Sequence, residues 1–213
     1  MKYQSAMAFR AAIDARLKQY AHQHGEAALA RLRRQIAFDR FLAHLIDVDP
    51  GNWALKGGLA LDFRPGGKAT ATRDLDLLHD FDMDQIDEVF DRVEASIMDD
   101  FFTFTILQTD KLNSLIDGTA VRYHIQAKLD RRRFDQFSVD IGFDQTPGMQ
   151  TDLVHRPGFL EFAGLMPVEL PALAIEYHLA AKLPAYSKVY PAGRTIRGQG
   201  CSGCASRARL ASR

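Results

Sequence analysis

The sequence has almost no cysteine. Cys201 and Cys204 stand close together near the end of 213 residues, which excludes a disulfide framework as a source of stability. No apolar run approaches the roughly 18 residues that a membrane helix needs. The opening Met1-Lys2-Tyr3-Gln4-Ser5 lacks the apolar segment of a secretory signal. The expected compartment is therefore the cytoplasm, with no membrane partner. Net charge is also absent, at zero, so bulk electrostatics do not mark a nucleic-acid binder. There is no internal repeat and no low-complexity tract. What remains is an ordinary globular balance, 46% apolar and 25% charged, in a chain long enough to bury a core unaided.

The charges are unevenly distributed. Residues 1–40 hold eight Lys or Arg against three Asp or Glu, with Arg31, Arg33 and Arg34 clustered, whereas residues 74–100 hold eleven Asp or Glu against Arg92. A second basic group, Lys128 with Arg131, Arg132 and Arg133, lies between two strand-like runs. This asymmetry can set basic patches beside an acidic centre. Any one cluster is equally well read as a solvated helix face or hairpin tip.

Apolar residues at three and four spacing make residues 5–47 helical, and Asp49-Pro50-Gly51-Asn52 ends them in a turn. A short apolar segment, Trp53 to Lys56, runs into Gly57-Gly58 and a brief helix over 59–63. Thr70 to Leu78 reads as a strand, Asp84 to Met98 as an amphipathic helix and Phe101 to Leu107 as a strand. Val121, Tyr123, Ile125, Ala127 and Leu129 alternate with Arg122, His124, Gln126 and Lys128, the pattern of a half-buried strand. A polar turn over 130–133 leads to its partner, Phe134 to Phe143. Pro171 and Glu176 are read as opening a further helix to about Leu183. The expected organisation is a helical segment over 1–50, a core over 51–150, a helical C-terminal part over 151–197, and a disordered or non-native tail over 198–213.

Three features carry chemistry. Asp74 and Asp76 alternate on a strand, so both carboxylates face one side. Like charges that close repel, and a divalent cation relieves them. Asp140, between Val139 and Ile141 on another strand, would bring a third carboxylate if the strands are neighbours, gathering all three at one edge of the sheet. Hard oxygen donors of this kind suit Mg²⁺. Gly57-Gly58 before a helix lets the backbone approach a ligand and turns N–H groups toward phosphate. Each part alone is common; their order and spacing form the nucleotidyltransferase pattern.

The run from Trp53 to Leu61 containing Lys56-Gly57-Gly58, followed by Thr72-Arg73-Asp74-Leu75-Asp76-Leu77, resembles the AbiEii/AbiGii toxin family. The resemblance continues through Phe134 to Phe143 with Asp140 and into Glu176 and Ala180-Ala181-Lys182-Leu183, covering roughly residues 30–197. It implies an α+β fold with a polymerase-β-like nucleotidyltransferase core, a mixed sheet flanked by N- and C-terminal helical parts. It also implies metal-dependent transfer of a nucleotide from a nucleoside triphosphate (NTP) by a toxin of toxin–antitoxin or abortive-infection systems. The implied acceptor is the 3′ end of tRNA, the implied cofactor Mg²⁺ or Mn²⁺, and the implied protein partner a cognate antitoxin. By this resemblance Asp74, Asp76 and Asp140 are the catalytic metal-binding residues. Gly57 and Gly58 cradle the triphosphate, Lys56 and Arg73 are its phosphate partners, and Lys182 faces it.

Two departures stand out. Ala181 replaces the family's usual glutamate before the helical lysine, and Pro184 is unusual inside that helix. After Arg197 the family continues with a Lys-Asp motif where this chain has Gly198-Gln199-Gly200. Codons for that tripeptide, read one base later, can encode Val-Lys-Asp, so a frameshift that replaced the native C-terminus is expected. The alternatives are transfer to a small molecule of antibiotic type, and a catalytically inactive binding module of the same fold. Cys201 and Cys204 form a lone pair with no partner pair for zinc.

Overall fold

The computed structural model describes residues 1–64, 72–79, 83–114, 118–143, 150–154 and 158–177. Two helices open the chain, α1 over Ala6–His24 and α2 over Glu26–Val48. The Ser5 side chain caps α1 by accepting from the Ala8 N–H, and Phe9, Ile13 and Leu17, four apart, form its buried stripe. The stretch over 5–47 is thus helical, but broken at Gly25, whose φ of 84° is a conformation open to glycine. The second half of α2 is buried nearly all round, Ile36 to Leu42 apart from the half-buried Asp39, because it lies at the centre of the helical layer.

The remaining elements are β1 (Trp53–Lys56), α3 (Gly57–Asp62), β2 (Asp74–His79), α4 (Met83–Ala95), β3 (Phe102–Ser114), β4 (Gly118–Leu129), β5 (Arg132–Gly142), β6 (Thr151–Val154) and β7 (Leu170–Leu173). The seven strands form one mixed sheet in the order β3-β4-β5-β2-β1-β7-β6. The alternation in β4 holds as read. Val121, Tyr123, Ile125, Ala127 and Leu129 are buried, and the intervening residues are half-buried. The core is an aromatic layer between helices and sheet. Phe38 and Phe41 of α2 meet Phe137 of β5 edge-on, Phe9 meets Phe102, and Phe90 of α4 stacks on Tyr123. The polar side chains of β4 therefore occupy the other face of the sheet. The β4–β5 loop is only two residues, Asp130 and Arg131, both with positive φ, as a tight hairpin with the native strand twist requires.

A buried polar knot fixes the helical layer to the start of β3. Asp100, wholly buried, accepts from the Phe102 N–H and contacts His44 Nε2 at 3.2 Å, with Arg40 Nη1 3.8 Å away. Burial of a carboxylate is tolerated because its lone pairs meet donors.

Residues 151–177 differ from the helical reading. Residues 170–173 form β7, parallel to β1 and antiparallel to β6, and the helical turn begins only at residue 175. The proline at 171 suggested a helix start, but Leu170, Ala172 and Leu173 are buried against the sheet, and burial decides the conformation. Strand β3 also runs beyond Leu107, to Ser114. The residues after 177, including Ala181, Lys182, Pro184 and the tail, lie outside the described residues.

Candidate active site

Two of the predicted carboxylates lie side by side and the third one row away, on the central strands rather than at an edge of the sheet. Strand β2 lies between β1 and β5, parallel to β5 and antiparallel to β1. Asp76 is directly beside Asp140 on one side and Lys56 on the other. Asp140 in turn lies opposite Arg122 of β4. Paired residues share a face, so Lys56, Asp76, Asp140 and Arg122 form one row across four strands, two anions bracketed by two cations. A second row on the same face runs Asp74, Ser138, His124. There His124 Nε2 is 3.0 Å from Asp110 Oδ2, and Ser138 Oγ is 3.3 Å from His124 Nδ1.

Electrostatics single out Asp76. Burial, with Asp140 and Asp74 adding repulsion, raises its pKa from 3.8 to about 6, although Lys56 and Arg122 pull the other way. Asp140 is chelated: Arg122 Nε donates to Oδ1 and Arg122 Nη2 to Oδ2, both at 2.6 Å. That bidentate pairing holds the Arg122 guanidinium protonated well above its ordinary range.

Gly57 explains the glycine requirement. Its φ is 73°, and a Cβ there would stand 1.8 Å from Asp76 Oδ2. The backbone at 57 rests directly on the central carboxylate, and no side chain fits between. Gly58 follows it into α3. A Cβ at Gly142 would stand 2.5 Å from Lys56 Nζ, so the Lys56 chain lies across Gly142, close to the acidic row. Arg73 is exposed, immediately before Asp74, and its carbonyl accepts from Arg34 Nη1 at 3.0 Å.

Of the predicted residues, Lys56, Gly57, Asp76 and Asp140 are brought together, Asp74 lies one row away on the same face, and Arg73 adjoins it. Lys182 falls outside the described residues. Sequence reading missed Arg122, whose signal was its place on the polar side of the β4 alternation. Removing it predicts a specific change. Because Arg122 lowers the Asp76 pKa, Arg122→Ala raises it further, so an activity that needs ionised Asp76 retreats toward higher pH. A pH–rate profile whose acid limb stays in place would contradict this.

The donor set suits a hard divalent cation in kind: three carboxylates, one pushed up in pKa by its neighbours. As placed, however, Asp140 spends both oxygens on Arg122, and among the described residues no three His, Cys, Asp or Glu side chains form a ready ligand cluster. Asp74 and Asp76 would hold such an ion, and Asp140 would join them only by exchange with Arg122.

A family model described as nucleotidyl transferase AbiEii toxin, type IV TA system, matches residues 40–199. The chain belongs to that family. The match takes in the glycine pair and all three aspartates. Among solved structures, MenT4, a nucleotidyltransferase toxin from Mycobacterium tuberculosis, is similar at a TM-score of 0.57 and 19% identity, over 81% of this chain and 58% of that one. JHP933 from Helicobacter pylori aligns at a TM-score of 0.40 and 14% identity, over 67% of this chain and 53% of that one. This AbiEii-family chain therefore spans less than two thirds of either. No curated protein matches it significantly. The likeness to MenT4 bears on the fold, an α+β nucleotidyltransferase architecture. Among the described residues no helix is long and apolar enough to cross a membrane.

Proposed function

We propose that this AbiEii-family protein is a metal-dependent nucleotidyltransferase that moves a nucleotide from an NTP to RNA, with the 3′ end of tRNA as acceptor. It would act as the toxin of a pair restrained by a cognate antitoxin. The observation that carries the reading is the placement of Asp76, with Gly57 against it and Lys56 and Asp140 beside it on the neighbouring strands. A glycine backbone, a lysine and two acids converging there support phosphoryl chemistry at a carboxylate-held cation.

Asp74, Asp76 and Asp140 are the residues to hold Mg²⁺ or Mn²⁺, and a bound ion would supply charge neutralisation for the attacking and leaving oxygens. Gly57 and Gly58 bring backbone N–H groups to the triphosphate, with Lys56 beside Asp76 and Arg73 next to Asp74 as its cationic partners. Lys182 is assigned the same phosphate-facing role. Arg122 holds Asp140 oriented through its two hydrogen bonds while no substrate is bound, and its fork matches a phosphate as well as a carboxylate.

The test is incubation of purified protein with labelled NTPs, Mg²⁺ and total tRNA. Label on tRNA, abolished by Asp74→Ala, is the expected result. Label only on a small acceptor would replace the RNA reading with an antibiotic-type transferase. No label in any arm, unchanged by Asp74→Ala, would mean an inactive binding module.

A further inference from the structure

The hairpin that carries Asp140 extends past the start of β2, and the first half of α2 lies over its extension. Between them runs a groove of about 440 Å³ lined by Glu26, Arg33, Arg34, Arg133, Phe134 and Asp135. Its charges are not equivalent. Arg34 is committed: Nε and Nη2 donate to the Asp135 carboxylate at 2.6 and 3.1 Å, and Nη1 donates to the Arg73 carbonyl. Arg33 is held with its guanidinium 5.8 Å from the Phe134 ring centre, yet its Nε is buried without any hydrogen-bond partner. That buried nitrogen cannot reach a ligand, but among the described residues no hydrogen bond or ion pair engages the rest of the half-buried Arg33 side chain, whose remaining N–H donors are left for an acceptor from outside. Arg133, exposed at the hairpin start, adds a second cation with no side-chain partner among the described residues. Arg10 pins that hairpin from α1, donating to the Leu129, Arg132 and Arg133 carbonyls, so the groove has a fixed wall. Once Arg34 and Asp135 cancel, two arginines face Glu26 alone.

The groove also points somewhere. Through Arg34 it is tied to Arg73, three residues from Asp76 along the strand, or about 10 Å at roughly 3.3 Å per residue. We propose that it is a binding site for the phosphates of a single-stranded RNA acceptor, with Arg33 and Arg133 as the phosphate-binding pair and Arg34 as the brace that sets the groove against the carboxylate row. This rests on the transferase reading for its direction, since the acceptor hydroxyl must reach Asp76 and Asp140. Planar guanidinium forks match phosphate, and a polymer with regular phosphates can occupy both arginines while its end lies at the carboxylates.

The experiment is fluorescence anisotropy of a labelled single-stranded RNA oligonucleotide on the full chain across a salt series, with NTP affinity measured separately. For Arg33→Ala with Arg133→Ala, RNA affinity should fall about tenfold, and the slope of log affinity against log salt should shrink by about 1 to 1.5. NTP affinity should be unchanged. Glu26→Gln should tighten RNA two- to threefold, a gain that misfolding cannot imitate and that decides the matter if the double variant fails to fold. RNA affinity and salt slope unchanged in both variants overturn the groove assignment even if nucleotide transfer proceeds normally. Loss confined to an acidic polypeptide such as polyglutamate, with RNA unaffected, overturns it too. Groove-dependent RNA binding with no nucleotide transfer by the unaltered protein would instead sink the transferase reading and leave the groove standing.

Discussion

Replacing Asp76 by asparagine is expected to abolish nucleotidyl transfer while making the protein harder to melt. Loss of a carboxylate from such a centre removes several kcal/mol of transition-state stabilisation, and each 1.36 kcal/mol is a factor of ten, so kcat should fall about three to four orders of magnitude. The stability effect has the opposite sign. Asp76 has a folded-state pKa of about 6 against an ordinary 3.8, so the folded chain binds its proton more tightly than the unfolded chain does. Stability therefore falls as pH rises from about 4 to about 6, and the full penalty, on the order of 3 kcal/mol, is present above that. Asparagine carries no charge to desolvate or repel. In metal-free buffer at pH 8 the variant should melt about 6–12 °C higher, with the gap closing below pH 4. Mg²⁺ should raise the melting point of the unaltered protein only. A variant that melts lower at pH 8 would show that Lys56 and Arg122 already more than neutralise the crowding.

The second large effect belongs to Gly57. Gly57→Ala must both hold a positive φ and clear the Asp76 side chain, whose Oδ2, Cγ and Cβ would lie 1.8, 2.6 and 2.8 Å from the new carbon. The backbone conformation alone costs about 1–2 kcal/mol. The clash cannot be relieved by swinging a long side chain, because aspartate is short and its own Cβ is among the obstructions. Strand or loop must move, and a displacement of about 1 Å at a reacting centre costs roughly a hundredfold. Gly51→Ala is the matched control, with φ of 86° and nothing within 4 Å of the added carbon. It should lose stability through the backbone alone and keep its activity. Equal activity losses in the two variants, or near-normal activity in Gly57→Ala, would mean that the close approach to Asp76 is incidental.

Much of this site was legible because it is local. The Asp74–Asp76 alternation, the glycine pair before a helix and the split faces of β4 all depend on spacing within a few residues, and each was found in place. What escaped depended on register. Counting outward from the Asp130-Arg131 turn puts Arg122 opposite Val139, and the irregularity between Ala127 and Lys128 shifts it onto Asp140. The unshifted pairing would have set arginine beside valine on one face, a mismatch that was itself the clue. The parallel pairing of β2 with β5 joins segments more than sixty residues apart, and nothing local encodes it. Gly25 was passed over because helical periodicity continues on both sides of it. Leu170 to Leu173 was misread because Pro171 resembles a helix start when its buried neighbours are not weighed.

The carboxylates sit on β2 and β5, strands with partners on both flanks and an aromatic layer beneath. Segments so enclosed are the last to open, since their backbone hydrogen bonds break only when the whole molecule comes apart. The carboxylate row is thereby insulated from fraying at the sheet's margins: the short outermost β6 can breathe without disturbing the spacing between Asp76 and Asp140.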